Sequence, residues 1–189
     1  MYKLLTTFIV IFLVINCGGP KKEVPAKTTT ATTATIEAVI KTIEPMTVIS
    51  IEKKGPYNEV GKTIGEMITW VMAKTIKPMG NPFGVYYDDP MKVIPESTRY
   101  EICMPVAPET KGDKTIKIKN LPAMEVASTI YIGPYGKVGP TYEKLMTWIT
   151  EKGYTICGPV REHYLNNPTS VPVESLKTEI QIPIKKETQ

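Results

Sequence analysis

The tripeptide Gly-Pro-Tyr occurs twice in this chain of 189 residues, first at 55–57 and again at 133–135, which is 78 residues later. In both places Val-Gly follows three residues after the tyrosine, and a tryptophan closes the apolar stretch that comes next. The same offset aligns other segments without a gap, including "EICMPV" from residue 101 with "EIQIPI" from residue 179. Self-similarity at one fixed offset along most of a chain is the signature of an internal repeat. We therefore predict a tandem duplication, with copies at about 36–108 and 114–185.

Each copy has the pattern of a strand-helix-strand-strand unit. After each Gly-Pro-Tyr, apolar residues recur every three or four positions, which predicts a one-sided amphipathic helix of about four turns. The segments "MTVISIEKK", "FGVYYDDP" and "RYEICMPV" of the first copy are rich in strand-forming residues, and the second copy has counterparts of all three. The segments "IEAVIKTI" and "KTIKIKNL" are predicted to be the opening strands of the two copies.

The fold follows from what one unit leaves uncovered. A single unit buries only one face of its sheet, so two units are expected to pair about a pseudo-twofold axis and shelter the other faces between them. The predicted class is α+β, with antiparallel sheets, one long helix in each unit and a cleft between the units. Clefts at such junctions are frequent locations for small ligands.

The first 35 residues have a different character from the rest. Residues 1–16 combine Lys3 with a short apolar run, which is too short to span a bilayer and is typical of a secretory signal. The run ends "LVINCGG", which resembles a bacterial lipoprotein signal, although Asn16 stands where a small residue is usual. We expect lipidation at Cys17, with an uncleaved anchor or ordinary signal-peptidase cleavage as alternatives. Residues 17–35 are predicted to be a tether, residues 186–189 a tail, and the folded part to face the periplasm or the exterior.

Composition argues against several functions. The formal net charge of +4 is small and dispersed, and no DNA-reading motif is recognisable, so we expect no nucleic-acid partner. His163 is the single histidine and has no ligand cluster around it in the sequence, so we expect no metal and no cofactor. Cys103 and Cys157 lie in the predicted folded part, and we expect buried free thiols, since sequence cannot show whether they are close enough to pair.

The segments "LPAMEVASTIYIGPYGKVGPTYEKLMTWI", "GPVREHYLNNP" and "TEIQIPI" resemble the GyrI-like small-molecule-binding domain. This module also serves as the effector-binding domain of AraC-type and of multidrug-sensing MerR-type regulators. The resemblance covers about residues 36–185. It implies two copies of the unit described above, with a ligand cleft lined by aromatic residues around a buried glutamate.

Carried onto this chain, the resemblance implies that the glutamate is Glu162. Strand alternation places Glu162 and Tyr164 on one face, and Arg161 and His163 on the other. A carboxylate among tyrosine rings suits a cationic aromatic ligand, because ring faces add cation–π attraction. The remaining candidates for the cleft are Tyr135, Tyr142, Glu179 and Tyr86.

One departure from internal symmetry concerns the acid itself. The first copy has Gly84 at the position of Glu162, which predicts a single acidic centre with space for the ligand beside the glycine.

Three functions remain open. The first is a lipid-anchored binding module for a hydrophobic, aromatic or cationic organic molecule. The second is a hydrolase of reactive, cyclopropane-bearing xenobiotics, with Glu162 as general base and a tyrosine assisting; the resemblance includes relatives of that kind. The third is a protein-interaction module. We expect binding rather than catalysis.

Overall fold

The computed structural model describes residues 36–187. The predicted signal, Cys17 and the tether lie outside these residues. In the described range no helix is both long and apolar enough to cross a membrane.

Nine strands and two α-helices make up the described chain. The first half contains β1 (Ala38–Ile43), β2 (Met46–Lys54), α1 (Val60–Ala73), β3 (Phe83–Tyr86) and β4 (Arg99–Pro105). The second half contains β5 (Lys117–Leu121), β6 (Met124–Ile132), α2 (Gly139–Glu151), β7 (Tyr154–Ile156), β8 (Val160–Tyr164) and β9 (Lys177–Lys186). Short 3-10 turns precede both helices and precede β4 and β9.

The strands form one antiparallel sheet in the order β1-β6-β9-β8-β3-β4-β2-β5, with β7 added against β9. The expectation of separate sheets that shelter each other's faces is therefore wrong. The halves join edge to edge, because β3 and β8 are both short strands that pair with each other.

The opening strands also differ from the expectation. β1 pairs with β6 of the second half, and β5 pairs with β2 of the first half. Each half therefore contributes one strand to the edge of the other, which no local sequence pattern encodes. In spite of this exchange, element bounds recur at the offset of 78 residues: β2 and β6 correspond residue for residue, as do the 3-10 turns at Tyr57–Glu59 and Tyr135–Lys137.

Both helices pack on the same face of the sheet, and we call this the helix face. Met67 and Val71 of α1 pack with Ile49, Ile102 and other residues of β2 and β4. Leu145 and Ile149 of α2 pack in the same way against a cluster of isoleucines on β9. The predicted helical positions thus face the sheet, with the exception of Ile68 and Met146, which are each 41% exposed.

The opposite face is buried although none of the described helices covers it. Val48, Phe83 and Cys103 have no exposed surface, and Val85 has almost none. A sheet can bury a face in this way by curling, so we call it the concave face. Polar residues of the concave face are buried with them, among them Ser50, Glu101, Ser128, Arg161 and Gln181.

Candidate functional site

The centre of the helix face is the pair of short strands β3 and β8. Alternation along β8 places Glu162 and Tyr164 on the helix face, and the antiparallel register sets Glu162 directly opposite Gly84 of β3. Tyr86 lies two residues beyond Gly84 and therefore on the same face. The acid and both strand tyrosines thus meet where the halves of the sheet join.

Glu162 is partly buried and receives a short hydrogen bond. The Tyr142 hydroxyl, which α2 carries above the sheet, donates to Oε1 of Glu162 at 2.6 Å. A hydrogen bond of this length to a carboxylate is typical of a charge-assisted contact. Helix α2 therefore fixes the orientation of the acid from above.

Four more tyrosines extend this arrangement into a frame. The hydroxyls of Tyr86 and Tyr164 lie 2.5 Å apart, and each of these rings meets a further tyrosine edge to face. Tyr57 packs against Tyr86 with ring centroids 4.9 Å apart, and Tyr135 against Tyr164 at 5.5 Å. Glu162 and the tyrosines at 57, 86, 135, 142 and 164 are called the tyrosine frame below.

Backbone conformation places the two outer tyrosines. Gly55 and Gly133 have φ values of 148° and 142°, a region that residues with a Cβ rarely adopt. Both glycines are anchored by their N–H groups, which donate to Thr98 and Leu176 respectively. The chain then turns through Gly-Pro so that Tyr57 and Tyr135 lean over the strands, which explains why the tripeptide occurs in both halves.

The environment of Glu162 favours the uncharged acid more than water does. Burial raises the pKa of Glu162, and hydrogen bonding from Tyr142, Tyr86 and Tyr164 opposes that shift. Among residues 36–187, no lysine, arginine or histidine forms an ion pair with Glu162. When ionised, the carboxylate therefore has phenol donors and aromatic edges around it but no cationic partner from the described chain.

The tyrosines of the frame are neutral at ordinary pH. Burial raises the pKa of Tyr86 and of Tyr142, and the nearby Glu162 carboxylate raises both further. Tyr135 is the most open member of the frame, with 38% of its surface exposed. The site therefore offers hydrogen-bond donors and ring faces, with Tyr135 at its solvent edge.

The space beside Gly84 is already occupied. A Cβ at this position would lie 2.7–2.8 Å from ring atoms of Tyr86, so the glycine lets that ring fold back over the strand. The expectation that Gly84 leaves room for a ligand is corrected on this point. The glycine instead permits the contact between the Tyr86 and Tyr164 hydroxyls.

Glu179 does not belong to the tyrosine frame. It pairs with His163 in the β8–β9 register and so lies on the concave face. There it accepts hydrogen bonds from Lys41 and, at 2.6 Å, from the Ser128 hydroxyl. The prediction was wrong because residue type alone suggested a second cleft acid, whereas alternation along β9 directs it to the opposite side from Ile180.

Tyr57 is the frame member that sequence reasoning left ambiguous. Its hydroxyl donates to the Asp88 carbonyl at 2.7 Å, and its ring also meets Tyr100 edge to face. Its correspondence with Tyr135 at the offset of 78 was the available signal. The tryptophans lie outside the frame: Trp70 donates to Asp113, and Trp148 lies beneath Lys152.

Other features of the described chain lie away from Glu162. An open apolar groove of about 530 Å³ runs along the end of α1, lined by Ile68, Met72 and Met104 among others. No group of three or more metal-ligating side chains is assembled within residues 36–187. Cys103 is buried and Cys157 is exposed, and both are free, so the expectation of buried thiols holds for Cys103 alone.

Several known proteins are similar to this chain. The probable transcriptional regulator YgiV of Escherichia coli strain K12 is 25% identical over 128 residues, which are 65% of this chain and 79% of YgiV. The C-terminal domain of EcmrR matches with a TM-score of 0.69 and 24% identity, over 80% of this chain and 98% of that domain. The chain spans 58% of the EcmrR chain in its complex with DNA, where the TM-score is 0.73.

More distant solved structures share the fold. A hydrolase from Listeria innocua encoded by lin2189 has a TM-score of 0.60 at 11% identity, over 80% of this chain and 93% of its own. SAV2435 bound to tetraphenylphosphonium has a TM-score of 0.51 at 15% identity, over 79% of this chain and 94% of its own.

A sequence model of the GyrI-like small molecule binding domain matches residues 37–185, which include all of the tyrosine frame and both helices. With most of its length matched in this way, the chain belongs to the GyrI-like small-molecule-binding domain family.

Proposed function

We propose that this domain binds a hydrophobic organic cation at the tyrosine frame. The observation that carries the proposal is Glu162, a carboxylate with a raised pKa that has phenol neighbours and no cationic partner among residues 36–187. A cation would supply the missing charge, and tyrosine faces would add about 0.5–2 kcal/mol each through cation–π attraction.

Two comparisons support this kind of ligand. The family is one of small-molecule-binding domains, and the chain resembles the C-terminal domain of the regulator EcmrR. SAV2435, which shares the fold, was solved with tetraphenylphosphonium, a bulky aromatic cation. In this chain Tyr135 lies at the open side of the frame, where such a ligand would enter.

The test compares two ions of the same shape and opposite charge. Isothermal titration calorimetry with tetraphenylphosphonium should show saturable binding, whereas tetraphenylborate should not bind. Glu162→Gln should weaken tetraphenylphosphonium binding by about tenfold or more, since a charge-assisted contact is worth about 1.5–3 kcal/mol. Glu179→Gln, on the concave face, is the matched control. Equal binding of both ions would contradict the proposal.

We propose further that the two halves arose by tandem duplication. The matching bounds of β2 and β6 and the mirrored strand order support this origin. Because only the second half kept an acid at the centre, one ligand is expected per chain. Calorimetry with tetraphenylphosphonium gives the stoichiometry directly, and two equivalent sites would contradict a single acidic centre.

For the cellular context we propose a bacterial lipoprotein, with Cys17 lipidated and the domain facing the periplasm or the exterior. The basis is the sequence alone, namely the short apolar run followed by "NCGG". Expression with radiolabelled palmitate should label the chain, and Cys17→Ala should abolish the label. An unlabelled but exported chain would indicate ordinary signal cleavage instead.

Hydrolysis is a second candidate, favoured by one observation. Tyr142 and Glu162 form a 2.6 Å acid–phenol pair, and a carboxyl group of raised pKa is suited to general base catalysis near neutral pH. Turnover of a cyclopropane-bearing electrophile, abolished by Glu162→Gln while tetraphenylphosphonium binding persists only weakly, would establish it. If neither binding nor turnover is found, a protein-interaction role gains support.

A further inference from the structure

The concave face of β8 carries a charge that the tyrosine frame does not use. Arg161 is 5% exposed and lies between its cross-strand neighbours Val85 and Gln181. Its guanidinium carbon is 5.8 Å from the centroid of the Phe83 ring. Within residues 36–187, its Nε and Nη1 atoms are enclosed and have no hydrogen-bond partner from the protein. An arginine keeps its charge in proteins, so the group cannot escape this situation by losing a proton.

The carboxylates of the concave face are already committed to other groups. Glu101 is paired with Lys119 at 2.7 Å and accepts a hydrogen bond from Tyr87 at 2.8 Å. Glu179 is paired with Lys41. These two ion pairs are counterparts at the offset of 78 and each is neutral, so Arg161 adds one positive charge to them. A buried charge without a partner costs several kcal/mol, which makes a counter-ion favourable.

The sheet itself does not require this arginine. The first half has Phe83 at the position of Arg161 and Val85 at the position of His163, and both are well-packed apolar residues. The second half therefore places two nitrogen-bearing side chains where apolar ones suffice for folding. This difference is confined to β8.

His163 adds a second unpartnered group beside the first. Its ring stacks on Phe83 with centroids 4.5 Å apart, and its Nε2 atom is enclosed with no partner among the described residues. Burial lowers the pKa of His163 to about 4, so the ring is neutral and can donate one hydrogen bond without adding charge. Arg161 and His163 are two residues apart on one strand face, and so about 6.6 Å apart along the strand.

We propose that the concave face of β8 is a binding site for one small monovalent anion, of halide size, held by the Arg161 guanidinium with His163 as a neutral neighbour. The near-complete enclosure of Arg161 sets the size limit, and its single unbalanced charge sets the valence. The site is independent of the tyrosine frame, because the two lie on opposite faces of the strand.

The test uses bromide with the protein as it exists. In sodium bromide, compared with sodium gluconate at equal ionic strength, the melting temperature should rise with concentration and saturate, by about 2 °C or more. Arg161→Met should remove this difference. Arg99→Met should keep it, since that guanidinium is exposed and already paired with Asp88. An unchanged bromide effect in Arg161→Met, or no effect in the wild type, would overturn the proposal.

Crystals grown in sodium bromide provide a readout that needs no variant. An anomalous difference peak within about 4 Å of the Arg161 guanidinium nitrogens, the distance expected of a charged contact, supports the site. Ordered water alone at Nε and Nη1 would mean that solvation satisfies the arginine, and the proposal would then be wrong.

Discussion

Gly84 and Glu162 face each other across the β3–β8 pair, and they are also counterparts in the sequence, 78 residues apart. Interchanging the two halves therefore maps this strand pair onto itself, with Gly84 and Glu162 at its centre. Two carboxylates at this point would lie side by side, and like charges at such a distance raise the free energy of the folded state. A single acid with a glycine opposite is the arrangement that avoids this repulsion.

Gly84→Ala tests whether the glycine matters for the frame. The new methyl group would lie under 3 Å from the Tyr86 ring, so that ring must swing away and lose its contact with Tyr164. We expect weaker tetraphenylphosphonium binding by calorimetry and a loss of about 1–3 kcal/mol in the free energy of unfolding. Gly65→Ala is the control: nothing lies near its Cβ, and alanine should stabilise α1 by about 0.5–1 kcal/mol. Unchanged binding in Gly84→Ala would show that the glycine is incidental.

The pH dependence of cation binding should follow Glu162. Its pKa is raised above the ordinary value of 4.5, and a cation binds the ionised form, so affinity should increase as pH rises through the raised pKa and then level off. Calorimetry between pH 4 and pH 9 measures this profile, and Glu162→Gln should be flat. An affinity that falls with rising pH would contradict the role of the carboxylate.

Stability without ligand should change in the opposite direction. The folded state holds the Glu162 proton more tightly than the unfolded chain, so the free energy of unfolding is highest below pH 4.5 for this group and falls as pH rises through its folded pKa. Urea denaturation of Glu162→Gln should lack this slope relative to wild type. A steeper decline in the variant would show that other groups dominate.

Local pattern was sufficient for the elements and for the assignment of faces. Helical spacing from Val60 to Val71 predicted the buried side of α1, and alternation in "REHY" correctly separated Glu162 from Arg161. The repeat offset predicted which elements correspond. These features depend on residues close together in sequence, where period and side-chain direction are fixed by backbone geometry.

Pairing between distant segments could not be predicted in the same way. Nothing in the composition of β1 distinguishes β6 from β2 as its neighbour, because both present a similar apolar edge. Strand β7 has no counterpart in the first half and forms only because β9 extends to Lys186. The Tyr142 contact depends on the rotation of α2 over the sheet, which tertiary packing sets.

Tyr142→Phe keeps the ring and removes only the donor to Glu162. Since that hydrogen bond opposes the effect of burial on the pKa of Glu162, its loss should raise the pKa further and move the pH profile of cation binding upward. At neutral pH we expect affinity to fall by about tenfold. Tyr154→Phe, a tyrosine of the α2 cluster away from the acid, should leave the profile unchanged. A profile that does not move in Tyr142→Phe would remove this residue from the site.

The two lysine–glutamate pairs of the concave face should differ in strength. The Glu101 side chain is 4% exposed and that of Glu179 is 17% exposed, although they are counterparts in the repeat. Glu101→Gln leaves Lys119 and Tyr87 with a weaker acceptor in the drier place, so we expect it to lower the free energy of unfolding by about 1–3 kcal/mol. Glu179→Gln should cost less, and neither change should alter tetraphenylphosphonium binding. Equal losses in urea denaturation would mean that burial does not distinguish the pairs.

The two free cysteines should react very differently with a thiol reagent. Cys103 is fully buried, and burial raises the pKa of its thiol, so almost no thiolate is present or accessible in the native state. Cys157 is exposed and should react with Ellman's reagent within minutes. In a protein with Cys17 replaced by Ser, we expect one thiol to react in buffer and two in guanidinium chloride. Because Cys103 lies on the concave face of β4 and Cys157 follows β7 at the far edge of β9, no disulfide should form between them. Native samples with no reactive thiol that gain two after reduction would show a disulfide and would contradict this placement of the strands.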